Sequence, residues 1–282
     1  MSRTISRRSF LALSAAAPLA IGAPRRRQVP VGLELYSVRN ALRADLPGTL
    51  RSVAGMGYTG VEFFAPYYQW TADQAKQVRK QLEELHLWCH STHNNLASFR
   101  PPGIAKAIEL NGILGTRYVV LADPGRVTGM AGWKGIAETL DSANRTLERH
   151  GLHAGYHNHA AEWVAVEGAR PMDILAANTD RSIMLQLDVG TCVAAGADPV
   201  AWIRKNPGRI RSLHLKDWSR QQGYRVLFGE GASPWKRIFA AAESVGGVEY
   251  YLIEQEGSAY PEIKTAQLCL ENYRKLRAPR RS

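Results

Sequence analysis

The fold of this chain is decided by a helix-to-strand unit near its middle, "WKGIAETLDSANRTLERHG" at residues 133–151 followed by "HAGYHNH" at residues 153–159. The first stretch is amphipathic at the helical period, and Gly151 stands where a helix commonly ends. The second stretch is a short β-rich run whose last residues are polar. The unit predicts an α-helix that packs on a β-sheet, with polar groups at the end of the strand.

The same alternation runs through the chain. Seven further β-rich runs are "VGLELYSV" (31–38), "GVEFF" (60–64), "LWCHSTH" (87–93), "RYVVLA" (117–122), "IMLQLDVG" (183–190), "IRSLHLKD" (210–217) and "YYLIEQE" (250–256). Amphipathic stretches such as "TADQAKQVRKQLEELH" (71–86) lie between them. Eight strand–helix units in about 250 residues predict an α/β fold, a (β/α)8 TIM barrel in a single domain. An open doubly wound sheet is the competing layout, but no G-x-G-x-x-G follows the first strand, and eight strands favour closure.

The N-terminal residues predict an export signal. The paired Arg7 and Arg8 precede an apolar run at residues 10–23, and this layout resembles a twin-arginine signal. We therefore expect the twin-arginine export machinery as a partner and the periplasm as the location. Anchoring in the inner membrane by an uncleaved signal is the alternative, although 14 residues that include Pro18 fall short of the roughly 20 that span a bilayer. The predicted segments are the signal and a basic linker (1–28), the barrel (29–276) and a basic tail (277–282).

The net charge of +11 does not predict a nucleic-acid partner. Nine arginines lie within residues 3–27 and 277–281, which leaves 27 basic against 25 acidic residues in the body. A surface that binds phosphates would place its charge on the folded body. Three scattered cysteines, without C-x-x-C spacing, indicate neither a disulfide framework nor a zinc ribbon.

Four consecutive predicted strands carry polar side chains at their C-terminal ends. These are His157 and His159 on the fifth strand, Asp188 on the sixth, His214 and Lys216 on the seventh, and Glu254 on the eighth. Residues i and i+2 of a strand share a face, and a TIM barrel collects its chemistry at this end. Burying such groups is costly unless they are paired or bind a metal. We therefore expect one divalent cation, Mn²⁺, Zn²⁺, Co²⁺ or Fe²⁺ rather than Ca²⁺, on His157, Asp188, His214 and Glu254.

Six motifs also carry a family resemblance. They are "GYTGVEFF" (57–64), "GYHNHAAEW" (155–163), "LQLDVG" (185–190), "LHLKD" (213–217), "FGEGASPWKRIF" (228–239) and "LIEQE" (252–256). In this order they resemble the xylose isomerase-like TIM-barrel superfamily, in the group of sugar phosphate isomerases and epimerases. The superfamily includes ketose 3-epimerases, inosose dehydratases, dehydroshikimate dehydratases, 3-keto-glycoside lyases and endonuclease IV. The resemblance implies that His157, Asp188, His214 and Glu254 hold the metal.

The sequence departs from the ketose epimerases at one position. In those enzymes the fifth-strand ligand is a glutamate that also moves a proton, whereas this chain offers His157, with His159 or Glu162 as alternative ligands. We expect His159 to act as the general base, because a neutral imidazole can accept a carbon-bound proton near neutral pH. Glu254 could return a proton from the other face, and Lys216 could polarise a carbonyl oxygen or neutralise an enolate.

Other polar and aromatic residues are candidate substrate contacts. They are Glu62, His93, Tyr36, Glu162 and Trp235. Three of them have a structural alternative: an ion-pair partner for Glu62, a loop histidine for His93 and core packing for Trp235. Glu256 is expected to orient a metal ligand.

The function expected from this site is proton abstraction next to the carbonyl of a small carbohydrate, leading to isomerisation or epimerisation. A β-elimination on a keto-sugar or a 3-keto-glycoside is the first alternative, because it shares the first step. A phosphodiesterase similar to endonuclease IV would need about twice as many metal ligands at the strand ends, together with a phosphate track. A sugar-binding protein without catalysis would keep metal and ligand affinity but show no turnover.

Replacing both Arg7 and Arg8 with lysine is expected to leave the protein in the cytoplasm, because the twin-arginine route reads the arginine pair and not positive charge alone. Cell fractionation followed by immunoblotting measures the distribution. The same exchange at Arg26 and Arg27, beyond the apolar run, is the matched control and should change nothing. Normal export of the Arg7 and Arg8 variant would contradict the predicted signal.

Overall fold

Eight parallel strands form the frame of the protein in the computed structural model, which describes residues 29–278. The strands are β1 (Val31–Glu34), β2 (Val61–Glu62), β3 (Ser91–Asn95), β4 (Tyr118–Asp123), β5 (His153–His157), β6 (Met184–Asp188), β7 (Ser212–Leu215) and β8 (Tyr250–Ile253). Each strand overlaps one of the eight predicted runs. The predicted export signal and most of the basic tail lie outside the described residues.

The strands close into a barrel. They pair in the order β2-β1-β8-β7-β6-β5-β4-β3, all in parallel. Parallel bridges from Gly60 to Trp88 and from Phe63 to Thr92 then join β2 to β3. The predicted (β/α)8 barrel in a single domain is confirmed, and the open doubly wound alternative is wrong.

Helices surround the barrel. They are α1 (Arg39–Ala44), α2 (Leu46–Met56), α3 (Ala72–Glu84), α4 (Gly103–Leu114), α5 (Gly129–Glu148), α6 (Pro171–Asn178), α7 (Val189–Ala194), α8 (Pro199–Lys205), α9 (Trp235–Ala241) and α10 (Glu262–Arg277). Thr71 starts α3 with a capping box to Gln74, and Gly151 follows α5 with a φ of +72°. Within residues 29–278, no helix combines the length and apolar character needed to cross a bilayer.

The barrel interior has an apolar floor and a polar upper half. The floor is a separate cluster made of Tyr118, Val120, Met184, Tyr250 and Leu252. Gly155 leaves room for it, because a Cβ at this position would lie 3.0 Å from Met184 Cε. Above the floor, the inward positions of β1, β2, β3 and β5–β8 carry acidic, amide or imidazole side chains. The polar groups of the sequence therefore gather at the C-terminal end of the barrel, where this fold places its chemistry.

Six of the eight strands, β1, β2 and β5–β8, end earlier than the sequence indicated, so that His159 and Glu254 lie just after β5 and β8. We expected the sixth strand to reach residue 190, but β6 ends at Asp188, whose carboxylate caps α7 by accepting from Thr191 N at 2.8 Å. Lys216 lies just after β7 rather than within it. Turns and caps, as well as strand alternation, therefore direct the side chains around the site.

Gly60→Ala is expected to destabilise the protein by about 1–3 kcal/mol, because a Cβ at residue 60 would overlap the indole of Trp88 where β2 meets β3. Urea unfolding measures the free energy. Gly55→Ala is the matched control, since Gly55 lies on an exposed face of α2 with nothing within 4 Å of the added methyl. The control should be neutral or stabilising by up to about 1 kcal/mol. Equal stability of the two variants would contradict the close packing at this seam.

Candidate functional site

Four side chains at the C-terminal ends of β5–β8 bring their donor atoms together. One nitrogen each of His157 and His214 and one oxygen each of Asp188 and Glu254 all lie within 4.8 Å of one another. Each of these residues is at most 6% exposed. The structure thus brings together the four residues that the sequence indicated as metal ligands.

His214 lies between two carboxylates. Its Nδ1 donates to Glu254 Oε2 and its Nε2 donates to Glu62 Oε2, both at 2.7 Å. Burial alone would lower the pKa of His214, but the two carboxylates outweigh burial and raise it to about 10. Burial would raise the pKa of Glu62, but His93 and His214 lower it to about 2. Glu62 is therefore an ionised carboxylate that holds the His214 ring from one side.

His157 is a neutral imidazole within the same cluster. Burial and the neighbouring imidazole of His214 hold its pKa well below the ordinary value. Its Nδ1 lies 3.1 Å from Gln186 Oε1. A neutral histidine with one nitrogen held by a hydrogen bond can use the other to bind a metal.

Asp188 has one carboxylate oxygen occupied and one unpartnered. Oδ1 accepts from Thr191 N at 2.8 Å. Asn158 ties the same segment to β5, because its Oδ1 accepts from Asp188 N at 3.0 Å and its Nδ2 donates to Thr191 Oγ1 at 2.9 Å. Asp188 Oδ2 is buried and has no hydrogen-bond partner among residues 29–278. The backbone thus fixes Asp188 so that Oδ2 remains available.

This donor set fits a divalent cation. Two imidazoles and two carboxylates are ligands that suit Zn²⁺, Mn²⁺, Co²⁺ or Fe²⁺. The buried oxygen of Asp188 is an acceptor whose desolvation a bound cation would offset. The contact from His214 Nε2 to Glu62 has the form that orients a histidine ligand in metal sites.

Two further groups of donor atoms overlap with this one. They are His93, His157 and His214, and Glu34, Glu62, His93 and His214. Burial and the adjacent Glu62 raise the pKa of Glu34 well above its ordinary value, so the protonated form is favoured and Glu34 is a poor ligand. The group with Glu34 and the group with Asp188 each contain a buried carboxylate oxygen without a hydrogen-bond partner among the described residues, Glu34 Oε2 in one and Asp188 Oδ2 in the other. We assign the candidate centre to the group that contains Asp188, because the raised pKa of Glu34 favours its protonated form.

Lys216 places its ammonium group beside this centre. Its Nζ lies 3.7 Å from Asp188 Oδ2 and 3.8 Å from Glu254 Oε1, and it forms an ion pair with Glu256. Burial would lower the pKa of Lys216, but these carboxylates, Glu254 first, raise it. The Tyr224 ring covers the ammonium group at 4.9 Å. Lys216 is therefore a buried, fully charged cation that faces the candidate ligands.

A cavity of about 680 Å³ opens next to the cluster, above β1–β5. Its lining includes Tyr36, Phe64, Tyr68, His93, Trp133 and His159. The ring centroids of His93 and His157 are 4.4 Å apart, and those of His157 and His159 are 5.0 Å apart. Two imidazoles of the cavity wall, His93 and His159, therefore lie against the ring of the candidate ligand His157. The size and aromatic walls of the cavity suit a small organic ligand.

Three of the five expected substrate contacts line this cavity, and two do not. Tyr36, His93 and Glu162 form part of the lining, whereas Glu62 and Trp235 lie outside it. Glu62 is fully buried and accepts from His214, Gln186 and the Nε2 of His93. The substrate contact expected at Glu62 stays a prediction, and the structure shows Glu62 in contact with protein groups behind the cavity wall.

Glu162 does not join the donor set. Its Oε1 accepts from Tyr156 OH at 2.8 Å and its Oε2 accepts from His159 N at 3.0 Å. The carboxylate thus holds the turn that follows β5, although the residue lies at the edge of the cavity. His159 is exposed and is also outside the set. Of the three alternatives for the fifth-strand ligand, the structure brings only His157 to the centre.

Trp235 is a core residue rather than a wall for the substrate. It packs against Phe228 and Phe239, and its Nε1 donates to Asp217 Oδ2 at 2.7 Å. The same carboxylate accepts from the backbone of Gly229 and Gly231. The expected substrate contact at Trp235 is therefore corrected, since its indole orders the loop before α9.

Sequence reasoning missed two buried residues that hold the site. Gln186 contacts three side chains of the cluster, and Asn158 connects β5 to the cap of α7. Gln186 stands two residues before Asp188 and shares its face, so strand alternation did offer a signal for it. Asn158 follows the last residue of β5, where alternation gives no signal.

With this geometry in place, comparison with known proteins identifies the class. Residues 50–276 match the family described as Xylose isomerase-like TIM barrel, and the chain belongs to this family. The resemblance noted in the six motifs is confirmed at this level.

Individual relatives resemble parts or all of the chain. An inosose dehydratase of Clostridium beijerinckii is 35% identical over 86 residues, which cover 30% of this chain and only 28% of that protein. A sugar phosphate isomerase/epimerase from Parabacteroides distasonis has a TM-score of 0.76 at 24% identity, covering 91% of this chain and 96% of the other. The IolI protein with a bound zinc atom has a TM-score of 0.68 at 16% identity, covering 88% and 97%. At these identities the two structures show a similar fold and nothing further about this chain.

Proposed function

We propose that this protein is a divalent-metal-dependent enzyme that removes a proton next to the carbonyl of a small carbohydrate and thereby isomerises or epimerises it. The observation that carries the proposal is the convergence of His157, Asp188, His214 and Glu254 beside a cavity lined by His159. The zinc atom of the IolI structure and the names of the relatives support the same class of chemistry.

The residues of this chain have separate tasks in the proposed reaction. His157, Asp188, His214 and Glu254 would hold the cation, which when bound would stabilise negative charge on the carbonyl oxygen. His159 faces the cavity and accepts the proton from carbon, with its backbone N–H held by Glu162. The Lys216 ammonium group adds a fixed positive charge on the side of Asp188 and Glu254. Tyr36 and Trp133 line the same cavity and supply aromatic surface beside His159.

Dehydration is the second candidate, and one observation favours it. His159 is a base exposed to the cavity, whereas Glu254 is buried and engaged with His214 and Lys216. An epimerase must return the proton to the opposite face, which requires a second group with access to the substrate. A β-elimination needs only that the first proton leaves carbon and that the departing hydroxide is protonated to water. The partial match to an inosose dehydratase supports this alternative.

The metal centre predicts a loss of binding in ligand variants. The wild type should hold about one divalent ion per chain. Asp188→Asn or His214→Gln should weaken metal binding by more than the roughly 10–100-fold loss that is typical when a residue hydrogen-bonded to a ligand is replaced. Dialysis followed by elemental analysis measures the content. Asp73→Asn is the matched control, since this carboxylate is 83% exposed on α3. Equal metal content in all four proteins would refute the centre.

If His159 is the general base, variants of His159 and His157 should differ in their metal content and turnover. His159→Ala should keep the metal but lose about 10²–10⁴ in turnover, the usual contribution of a positioned general base. His157→Ala should lose metal and turnover together. His150→Ala, an exposed histidine just after α5, is the control and should be unaffected. Full turnover of His159→Ala would show that the base lies elsewhere.

One assay tests the function itself. The metal-loaded protein is incubated in deuterated water with a panel of sugars, glycosides and 3-keto derivatives, and products are read by mass spectrometry and NMR. Deuterium at the carbon next to the carbonyl would support proton abstraction, and the product separates isomerisation from elimination. Tight binding of a sugar without exchange or product would overturn the enzyme proposal in favour of a binding protein.

A further inference from the structure

Gln186 occupies the middle of the polar cluster. It lies on β6 and is fully buried. Its Oε1 is 2.8 Å from His93 Nε2 and 3.1 Å from His157 Nδ1, and its Nε2 is 3.0 Å from Glu62 Oε1. One amide thus contacts two imidazoles with its oxygen and a carboxylate with its nitrogen.

The contacts at both ends of this amide determine which way it points. Its Nε2 donates to Glu62 Oε1 at 3.0 Å and lies 3.4 Å from Ser212 Oγ, whereas its Oε1 faces the ring nitrogens of two histidines. A carboxylate oxygen accepts hydrogen bonds, so the group that faces Glu62 Oε1 is the NH₂ of Gln186. Reversing the amide would place two oxygens in contact and leave the buried carboxylate without this donor. The carbonyl oxygen of Gln186 therefore faces the histidines.

That orientation fixes the protons on both imidazoles. Because Gln186 Oε1 accepts, His157 must carry its proton on Nδ1, and its Nε2 then holds a lone pair. His93 Nε2 faces both Gln186 Oε1 and Glu62 Oε2 at 3.1 Å, so it too must donate. His93 Nδ1, which has no partner among residues 29–278, is left as an acceptor on a residue of the cavity wall.

We infer that Gln186 is a positioning residue that selects the Nδ1–H tautomer of His157 and so makes Nε2 the ligand nitrogen. The inference rests on the proposed metal centre for its consequence, but the tautomer is a property of the protein alone. The neutral histidine side chain in water favours the Nε2–H tautomer, so the amide acts against the intrinsic preference. Residues behind a ligand commonly change metal affinity in this way.

The test is the tautomer of His157 in protein labelled with ¹⁵N-histidine. Long-range ¹H–¹⁵N NMR of the metal-free protein should show the Nδ1–H form, with the signal assigned by its loss in His157→Gln. Gln186→Met is similar in volume but cannot accept the hydrogen bond, so His157 should shift towards the Nε2–H form. Metal affinity should fall by roughly 10–100-fold in the same variant. Gln186→Glu keeps an acceptor oxygen and should retain the Nδ1–H form.

Ser212→Ala is the matched control, because Ser212 Oγ contacts the nitrogen end of the same amide at 3.4 Å. It should change neither tautomer nor affinity. An Nε2–H form in the wild type, or an unchanged tautomer in folded Gln186→Met, would overturn the inference. If Gln186→Met does not fold, the wild-type tautomer still tests the inference, because an Nε2–H form overturns it. A wild type that shows the Nδ1–H form but binds no metal would instead sink the proposed function.

Discussion

The hydrogen bond from His214 on β7 to Glu62 on β2 spans the barrel, and the rest of the polar centre depends on it. A buried carboxylate is tolerated only when donors surround it. Glu62 has three, because His93 and Gln186 also face its oxygens. The negative charge of Glu62 raises the pKa of His214 and orients the amide of Gln186. Through that amide it also sets the tautomer of His157.

Charge balance explains why this centre suits a cation. The buried carboxylates of Glu62, Asp188 and Glu254 face the ammonium group of Lys216 and the imidazolium of His214. A divalent cation held by a neutral His214 would, together with the lysine, cancel the three negative charges. The same ion would give Asp188 Oδ2 a directly bound partner, because Lys216 Nζ at 3.7 Å lies beyond hydrogen-bond distance. Burial of acidic groups, which would otherwise destabilise the fold, would thus become the basis of the proposed metal affinity.

Two arcs of the barrel contribute different parts of the site. Strands β5–β8 supply the candidate ligands, and the segments above β1–β5 supply the walls of the cavity. The two arcs meet where His93, His157 and His159 lie side by side. A ligand in the cavity would therefore contact His159, the proposed base, and lie close to His157, while Lys216 and Tyr224 lie beside the other candidate ligands, Asp188 and Glu254. Variation in the walls could change the substrate without disturbing the centre, as is usual for this fold.

The sequence by itself determined the eight-stranded barrel and the four residues that converge at its end. Both follow from periodicity, since strand and helix repeats are local and an otherwise apolar strand that ends in His157 or Asp188 signals a site without knowledge of contacts. Only the tertiary structure decided that Glu62 works through other side chains, that Glu162 holds a turn and that Trp235 belongs to the core. The physical reason is that hydrogen bonds between buried polar groups join residues distant in the chain. Gln186 and Glu62 are 124 positions apart, and no local pattern encodes which way the amide between them must point.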